Sequence, residues 1–295
     1  MSRKPKMHEP LNASFGNVLA AIADEQKPEA REESAAKPFL KWVGGKRSIL
    51  PQLIERMPAS YETYRELFVG GGALFFAVQP KKAALSDVNF HLMITYRAVR
   101  DNLAALIEEL KIHEKMHSKK HYYATRELFA VEQEPIKIAA LFIYLNKTCF
   151  NGLYRVNRDG MFNVPMGDYK NPGLYDDAVL KADSMALQHV QLQQCPFDQV
   201  KVAKGDFVYL DPPYHKTFSN YDSSQFGDEA HARLAEFCKR IDKAGAHFML
   251  SNSDTDYVRT LYSGFSVENV EATRNVSCKV ASRGKETEII VRNYT

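Results

Sequence analysis

From Pro38 onward the apolar positions switch between two rhythms. Tyr64 to Phe68 reads as a strand running into Gly70-Gly71-Gly72, Ala73 to Val78 as a helix, and Lys82 to Leu85 as a second strand ending at Asp87. That order opens an α/β nucleotide-binding unit. Residues 89–146 carry mostly helical spacing, with a long segment from Leu92 to Leu110 and another from Ile136 to Asn146. Asn, Gly, Arg and Pro break that rhythm over 147–170. A second α/β stretch begins near Cys195, with strands at Phe207 to Leu210, His247 to Leu250 and Glu288 to Val291 and a helix from Glu229 to Ala244. The pattern predicts one α/β sheet domain, 38–96 and 195–295, split by a mainly helical insertion at 97–194. No internal repeat is visible.

Residues 1–37 read separately. Leu11, Phe15, Val18, Leu19 and Ile22 recur at helical spacing, and Gln26 to Lys37 is rich in Glu, Ala and Lys between Pro28 and Pro38. A short amphipathic helix on a flexible tether and a docking helix both fit this extension.

Composition narrows the class only broadly. The chain of 295 residues is 45% hydrophobic and 25% charged, which suits a globular protein with a sizeable core. A net charge of +3 does not single out a nucleic-acid partner, so any positive charge for one must be concentrated on one face. The cysteines 149, 195, 238 and 278 lack CxxC spacing, which argues against a zinc site or disulfide framework; no metal is expected. No apolar run reaches the roughly 20 residues of a membrane span, and no secretory signal is read at the N-terminus. A cytoplasmic location, in a bacterial nucleoid or a phage-infected host, is the expectation.

The most informative segment is Asp211-Pro212-Pro213-Tyr214, at the end of an apolar strand. Ligands of open α/β sheets sit beyond the carboxyl ends of the strands. Two prolines stiffen the turn and remove two donors while leaving their carbonyls as acceptors. One carboxylate on such a turn suits holding an amino group, and Tyr214 offers a face for stacking a base. The exocyclic amine of adenine is a poor nucleophile because its lone pair is delocalised into the ring. Hydrogen bonds from N6–H to the Asp211 carboxylate and the Pro212 carbonyl would push the nitrogen towards sp3 character, freeing the lone pair to attack a sulfonium methyl in line. A bare Asp-Pro-Pro is also an ordinary turn; the strand before it and the aromatic after it favour a site.

Two further motifs support this one. Phe68-Val69-Gly70-Gly71-Gly72 lies at a strand-to-helix turn, where glycine lets the backbone approach a cofactor closely, although it lacks GxGxxG spacing and glycine clusters are often plain loops. Asp87 ends the next strand, where an acid can accept ribose hydroxyls or simply cap a helix. The segment from Pro38 to Arg47 holds the chain's only Trp, two glycines and three cations. It reads either as a core strand with a turn, or as a site in which Lys46 meets a cofactor carboxylate and Trp42 lies against the cofactor.

Taken together, PFLKWVGGKR (38–47), ELFVGGG (66–72), Asp87, LNKTCFNGLYRVNRDGMFNVPMG (145–167), GDFVYLDPPY (205–214) and RGKETEIIVRNY (283–294) resemble the DNA adenine methyltransferase (Dam) family. The resemblance follows the order glycine motif, target-recognition insertion, DPPY, and covers nearly all of 38–294. It implies a Rossmann-like S-adenosylmethionine-dependent methyltransferase sheet with an inserted, mainly helical target-recognition domain bearing a β-hairpin. By position, Trp42, Lys46, Phe68, Gly70, Gly72, Asp87 and Asp211 match its contacts to S-adenosylmethionine, and Asp211 to Tyr214 match its catalytic motif.

The resemblance also implies a partner, double-stranded DNA. Phe150 to Met166 would form the hairpin, with Lys41, Leu153, Tyr154, Arg155, Asn157 and Pro165 at DNA-contacting positions. Arg155 suits a guanine, whose O6 and N7 its fork bonds together for about 1–3 kcal/mol of discrimination. Leu153 and Pro165 offer apolar contact to a thymine methyl, and Tyr154 is a wedge for the gap left by a flipped adenine. The implied target is GATC. Lys111, Lys115, Lys119, Lys120 and Arg126, interleaved with His113, His117 and His121, either track phosphates or form a solvated helix face. Leu67 and Lys147 depart from the proline and arginine of many relatives. Other classes remain: a methyltransferase acting on RNA adenine or protein glutamine, or a non-catalytic DNA-binding relative. The oligomeric state is not fixed; a monomer suffices.

Overall fold

The computed structural model describes residues 35–215, 226–273 and 285–295. The expected N-terminal helix and most of its tether lie outside these residues, as does Cys278. Seven strands form one sheet: β1 (Tyr64–Glu66), β2 (Ala83–Asp87), β3 (Val190–Gln194), β4 (Phe207–Leu210), β5 (His247–Ser253), β6 (Ser266–Thr273) and β7 (Lys285–Arg292). Their spatial order is β3-β2-β1-β4-β5-β7-β6, parallel from β3 to β5, with β7 antiparallel to both β5 and β6.

Residue alternation along the central strands assigns the two faces. Tyr64, Phe207, Tyr209, Met249 and Ile290 enter one core, and Val208, Leu210, Phe248, Leu250, Ile289 and Val291 enter the other. The second core is closed by the amphipathic helix α8 (Asp228–Lys243), which buries Ala230, Leu234, Phe237, Cys238 and Ile241 at helical spacing, and by the short α9 (Asp256–Leu261).

The first face is covered by α1 (Leu50–Glu55), α2 (Ala73–Val78) and the helices between β2 and β3. These are α3 (Phe90–Asp101), α4 (Leu103–Met116), α5 (Lys119–Phe129), α6 (Pro135–Thr148) and α7 (Asp177–Leu187). Pro135 opens α6 where no backbone donor is needed, and the Glu134 carboxylate accepts from Ile136 N and Lys137 N. Ten of its residues, from Ile138 to Thr148, are buried, so α6 forms the middle of this layer.

Four expectations change. The helix expected across Leu92 to Leu110 is two, because the chain leaves helical geometry at Asn102 (φ −138°, ψ 35°). The sheet resumes at Val190 rather than near Cys195, since β3 pairs in parallel with β2, and α3 runs through position 97. β1 ends at Glu66 instead of Phe68. Phe150 to Met166 folds back antiparallel, but through the isolated bridges Cys149↔Met166 and Val156↔Phe162 rather than two continuous strands.

The chain runs from β1 outward through β2 and β3, then crosses to β4 and β5 on the other side. The switch point therefore lies between β1 and β4, and the crevice beyond their carboxyl ends is where such sheets bind ligands. Glu66 and Asp211 stand at those ends, and Asp87 ends β2 beside β1.

Candidate active site

The backbone crossing from β1 to α2 is held at close quarters. Gly70 has φ +47°, and a Cβ there would lie 2.5 Å from the Trp42 indole nitrogen, so only glycine admits the ring. The Gly70 N–H donates to Asp87 Oδ2 (3.2 Å), and Asn89 N–H donates to Asp87 Oδ1 (2.9 Å). Gly72, at φ +67°, faces the Tyr96 hydroxyl, which itself bonds the Gly70 carbonyl (3.1 Å). Phe68 points to the other core, with its ring 5.4 Å from Phe197 and 5.7 Å from Phe226.

Across the switch point, Lys46 Nζ lies 2.9 Å from Asp211 Oδ2 and 4.7 Å from the centre of the Tyr214 ring, and also donates to the Gly44 carbonyl. Asp211 Oδ1 is buried and has no hydrogen-bond partner among the described residues. Burial pushes the Asp211 carboxyl up to about 6, with Lys46 pulling it down and Glu288 adding to the rise. The Tyr214 hydroxyl donates to Glu288 Oε2 at 2.7 Å. Glu66 is buried behind these groups and accepts from the Tyr64 hydroxyl (2.6 Å); burial raises its carboxyl to about 8. Asp87 is also raised by burial, against the pull of its backbone donors. Pro212 is buried and Pro213 exposed.

The N-terminal motif joins this set to the expected DNA-contacting residues. Lys41 N–H donates to Asn146 Oδ1 and Asn146 Nδ2 returns a bond to the Lys41 carbonyl, both at 2.8 Å. The Lys41 ammonium reaches the Lys147 carbonyl (3.3 Å) and Tyr169 hydroxyl (3.1 Å). Gly152, at φ +64°, packs on the Lys41 stem. The Tyr154 ring stacks on Trp42 (6.3 Å, 17°), and its hydroxyl lies 3.2 Å from His91 Nδ1. Arg155 Nε donates to Asn163 Oδ1 (2.6 Å) and its Nη2 to the Asn163 carbonyl (3.0 Å). Asn157 Oδ1 accepts from Asp159 N and Met161 N, so this side chain builds its own turn. Leu153 is half-buried; Pro165 is exposed, and its carbonyl accepts from Phe150 N (2.9 Å).

Tyr154 is held against Trp42 and His91, whereas the exposed aromatic of this segment is Phe150, 46% accessible beside Asn151 at φ +54°. The histidines of the basic segment do not share a face with the lysines. His113, His117 and His121 turn inward around Tyr144, with His113 Nδ1 3.0 Å from His121 Nε2 and His117 Nδ1 3.0 Å from the Tyr144 hydroxyl, while Lys111, Lys115, Lys119 and Lys120 are exposed. Glu66, Glu288, Phe150, Asn151 and Asn163 were not singled out from sequence. The Asn-Gly pair at 151–152, a turn signal, pointed to one of them. No group of His, Cys, Asp and Glu with metal-binding geometry occurs among the described residues. No described helix is long and apolar enough to cross a membrane.

A mixed α/β sheet carrying an acid-proline-proline-tyrosine turn at its switch point defines a methyltransferase-like site, and sequence comparison identifies the class. The profile of the D12 class N6 adenine-specific DNA methyltransferases matches residues 42–276. The chain is 40% identical over 271 residues to the Type II methyltransferase M1.LlaDCHI of Lactococcus lactis subsp. cremoris, covering 88% of this chain and 95% of the relative. It is 42% identical over 286 residues to the Type II methyltransferase M.MjaIII of Methanocaldococcus jannaschii, covering 88% and 99%. Against a DNA adenine methylase of Escherichia coli the identity is 32% over 263 residues, covering 85% and 93%. The chain belongs to the D12 class of N6 adenine-specific DNA methyltransferases.

Proposed function

We propose that this enzyme methylates N6 of an adenine flipped out of duplex DNA, within GATC, using S-adenosylmethionine. The observation that carries the reading is the Asp211 carboxyl, with one oxygen held by Lys46 and the other buried and unpartnered at the mouth of the switch-point crevice. A buried acceptor without a donor costs about 1–3 kcal/mol, and an amino group entering the site offsets that cost.

The residues present fit the cofactor. Lys46 uses two of its three donors on Gly44 and Asp211, leaving one for the methionine carboxylate. Asp87 accepts the Gly70 and Asn89 N–H groups on different oxygens, which fixes its carboxylate where a ribose hydroxyl can donate to it. Asp211 and Glu288 outnumber the single Lys46 ammonium, while Glu66 behind them holds its proton, a balance suited to a cationic ligand. When bound, the cofactor supplies an electrophilic sulfonium methyl.

The chain's own groups do the rest. Asp211 and the Pro212 carbonyl accept hydrogen bonds from the two N6–H groups and orient the lone pair, the methylated nitrogen then sheds one proton to solvent by way of the Asp211 carboxylate, and Tyr214 stacks on the extruded base. Recognition falls to the segment between β2 and β3 together with Lys41. Arg155 reads a guanine, and Leu153 and Pro165 meet a thymine methyl. Flipping costs a few kcal/mol, and the exposed Phe150 ring is better placed than Tyr154 to fill the gap.

The test is transfer of a labelled methyl group to duplex DNA, RNA and protein by the wild type and Asp211→Ala. Labelling of duplex adenine that is lost in Asp211→Ala supports the reading. Equal labelling by the variant, or labelling confined to RNA or protein, contradicts it.

A further inference from the structure

Within the DPPY turn, Asp211 is tied to the N-terminal motif through Lys46, and Tyr214 is tied to a second distant element. Its hydroxyl donates at 2.7 Å to Glu288, which sits on β7 opposite Ser253 of β5 and Val270 of β6. Glu288 is 7% exposed, and a carboxylate so placed is retained only where donors meet it. The two prolines fix the backbone on which Tyr214 stands, but they do not fix its ring. The Lys46 ammonium near the ring and the Glu288 carboxylate at the hydroxyl do. We propose that Glu288 is a positioning residue for methyl transfer, which holds the Tyr214 ring in the plane that receives the target base. This rests on the reading that Tyr214 stacks on that base.

A second consequence separates this role from simple packing. Glu288 adds negative charge beside Asp211, in a site that Lys46 faces from the N-terminal motif, Glu66 from β1, and Tyr209 and Tyr214 from β4 and its turn. It therefore adds to the rise of the Asp211 carboxyl that burial begins. Replacing it by a neutral isostere leaves the acceptor for Tyr214 in place and lets Asp211 ionise at lower pH.

The experiment uses the full chain, a duplex bearing one unmethylated GATC site, and the variants Tyr214→Phe, Tyr214→Ala, Glu288→Gln, Glu288→Ala and Tyr214→Phe/Glu288→Ala. Single-turnover methylation is measured across pH, DNA affinity separately, and base extrusion by 2-aminopurine fluorescence at the target position. Glu288→Ala and Tyr214→Phe are each expected to slow methylation about tenfold with DNA affinity held within about threefold, and the double variant to be no slower than the worse single one. Glu288→Gln should recover most of the rate and shift the acid limb to lower pH. Losses that multiply in the double variant overturn the proposal, as does full activity in Glu288→Ala beside an impaired Tyr214→Ala. Full activity in Tyr214→Ala removes the stacking reading itself, and the proposal with it. Should Glu288→Ala fail to fold, an unshifted acid limb in Glu288→Gln or an unimpaired Tyr214→Phe overturns it.

Discussion

The Lys46 ammonium lies 2.9 Å from the Asp211 carboxylate, joining the glycine turn after Trp42 to the end of β4. The pair sets the protonation of the carboxyl proposed to accept a hydrogen bond from the adenine amine. Burial raises Asp211 to about 6 and Lys46 limits that rise. In Lys46→Ala the carboxyl therefore titrates higher. At saturating cofactor the variant should lose more activity at pH 7 than at pH 9, with the acid limb of its pH–rate profile moved up from about 6. A uniform loss at every pH would place Lys46 outside the titration of Asp211.

Glu66 governs stability in the opposite sense to an ordinary surface acid. Burial raises its carboxyl to about 8 from a usual value of 4.5, so the folded state holds a proton that the unfolded chain releases earlier. Its stabilising contribution is complete below about 4.5 and is lost progressively as pH rises to about 8. Thermal unfolding of Glu66→Gln against wild type from pH 5 to 9 should show an advantage for the variant that grows up to about pH 8 and then levels. A pH-independent difference would mean that Glu66 is ionised throughout.

If Lys147, which replaces an arginine of many relatives, meets a DNA phosphate, DNA binding should be sensitive to mild alkali. Burial, then the charges of Lys41 and Arg47, lower its ammonium to about 8. Affinity for duplex DNA is expected to fall between pH 7 and 9, with the salt slope reduced by about one. Lys147→Arg keeps its charge over that range and should remove the dependence. Identical pH profiles for the two proteins would exclude Lys147 from the phosphate contacts.

Asn163 buttresses Arg155 through two hydrogen bonds to one guanidinium. Arg155→Ala should cost about 1–3 kcal/mol of discrimination at one base pair while sparing non-specific binding. Asn163→Ala should relax the same base pair by a smaller amount. Methylation rates on duplexes changed at single positions measure both, and equal losses on all sequences would make Arg155 a phosphate contact.

The strands that carry the site were legible because they are central. Phe207 to Leu210 is buried on both faces, and its apolar run needs no context. The edge strands were not. Val190–Gln194 and Ser266–Thr273 are rich in polar residues, and only pairing with β2 and β7 makes them strands. The Asp211 to Tyr214 turn was readable from local chemistry, since proline and tyrosine shape the site where they stand. Glu288 was not, because its meaning depends on β7 pairing with β5, which brings it to a hydroxyl 74 positions away. The setting of Tyr154 is hidden for the same reason: an aromatic in a loop reads alike whether it faces solvent or Trp42.

The most direct test of the central claim is to incubate plasmid DNA with the purified protein and S-adenosylmethionine and to map modified bases by single-molecule sequencing, with Asp211→Ala in parallel. The account predicts N6-methyladenine confined to GATC and absent with the variant. N6-methyladenine in another sequence would retain the chemistry and contradict the base contacts assigned to Arg155, Leu153 and Pro165. No modified base, from a protein that binds the cofactor, would contradict duplex DNA as the substrate.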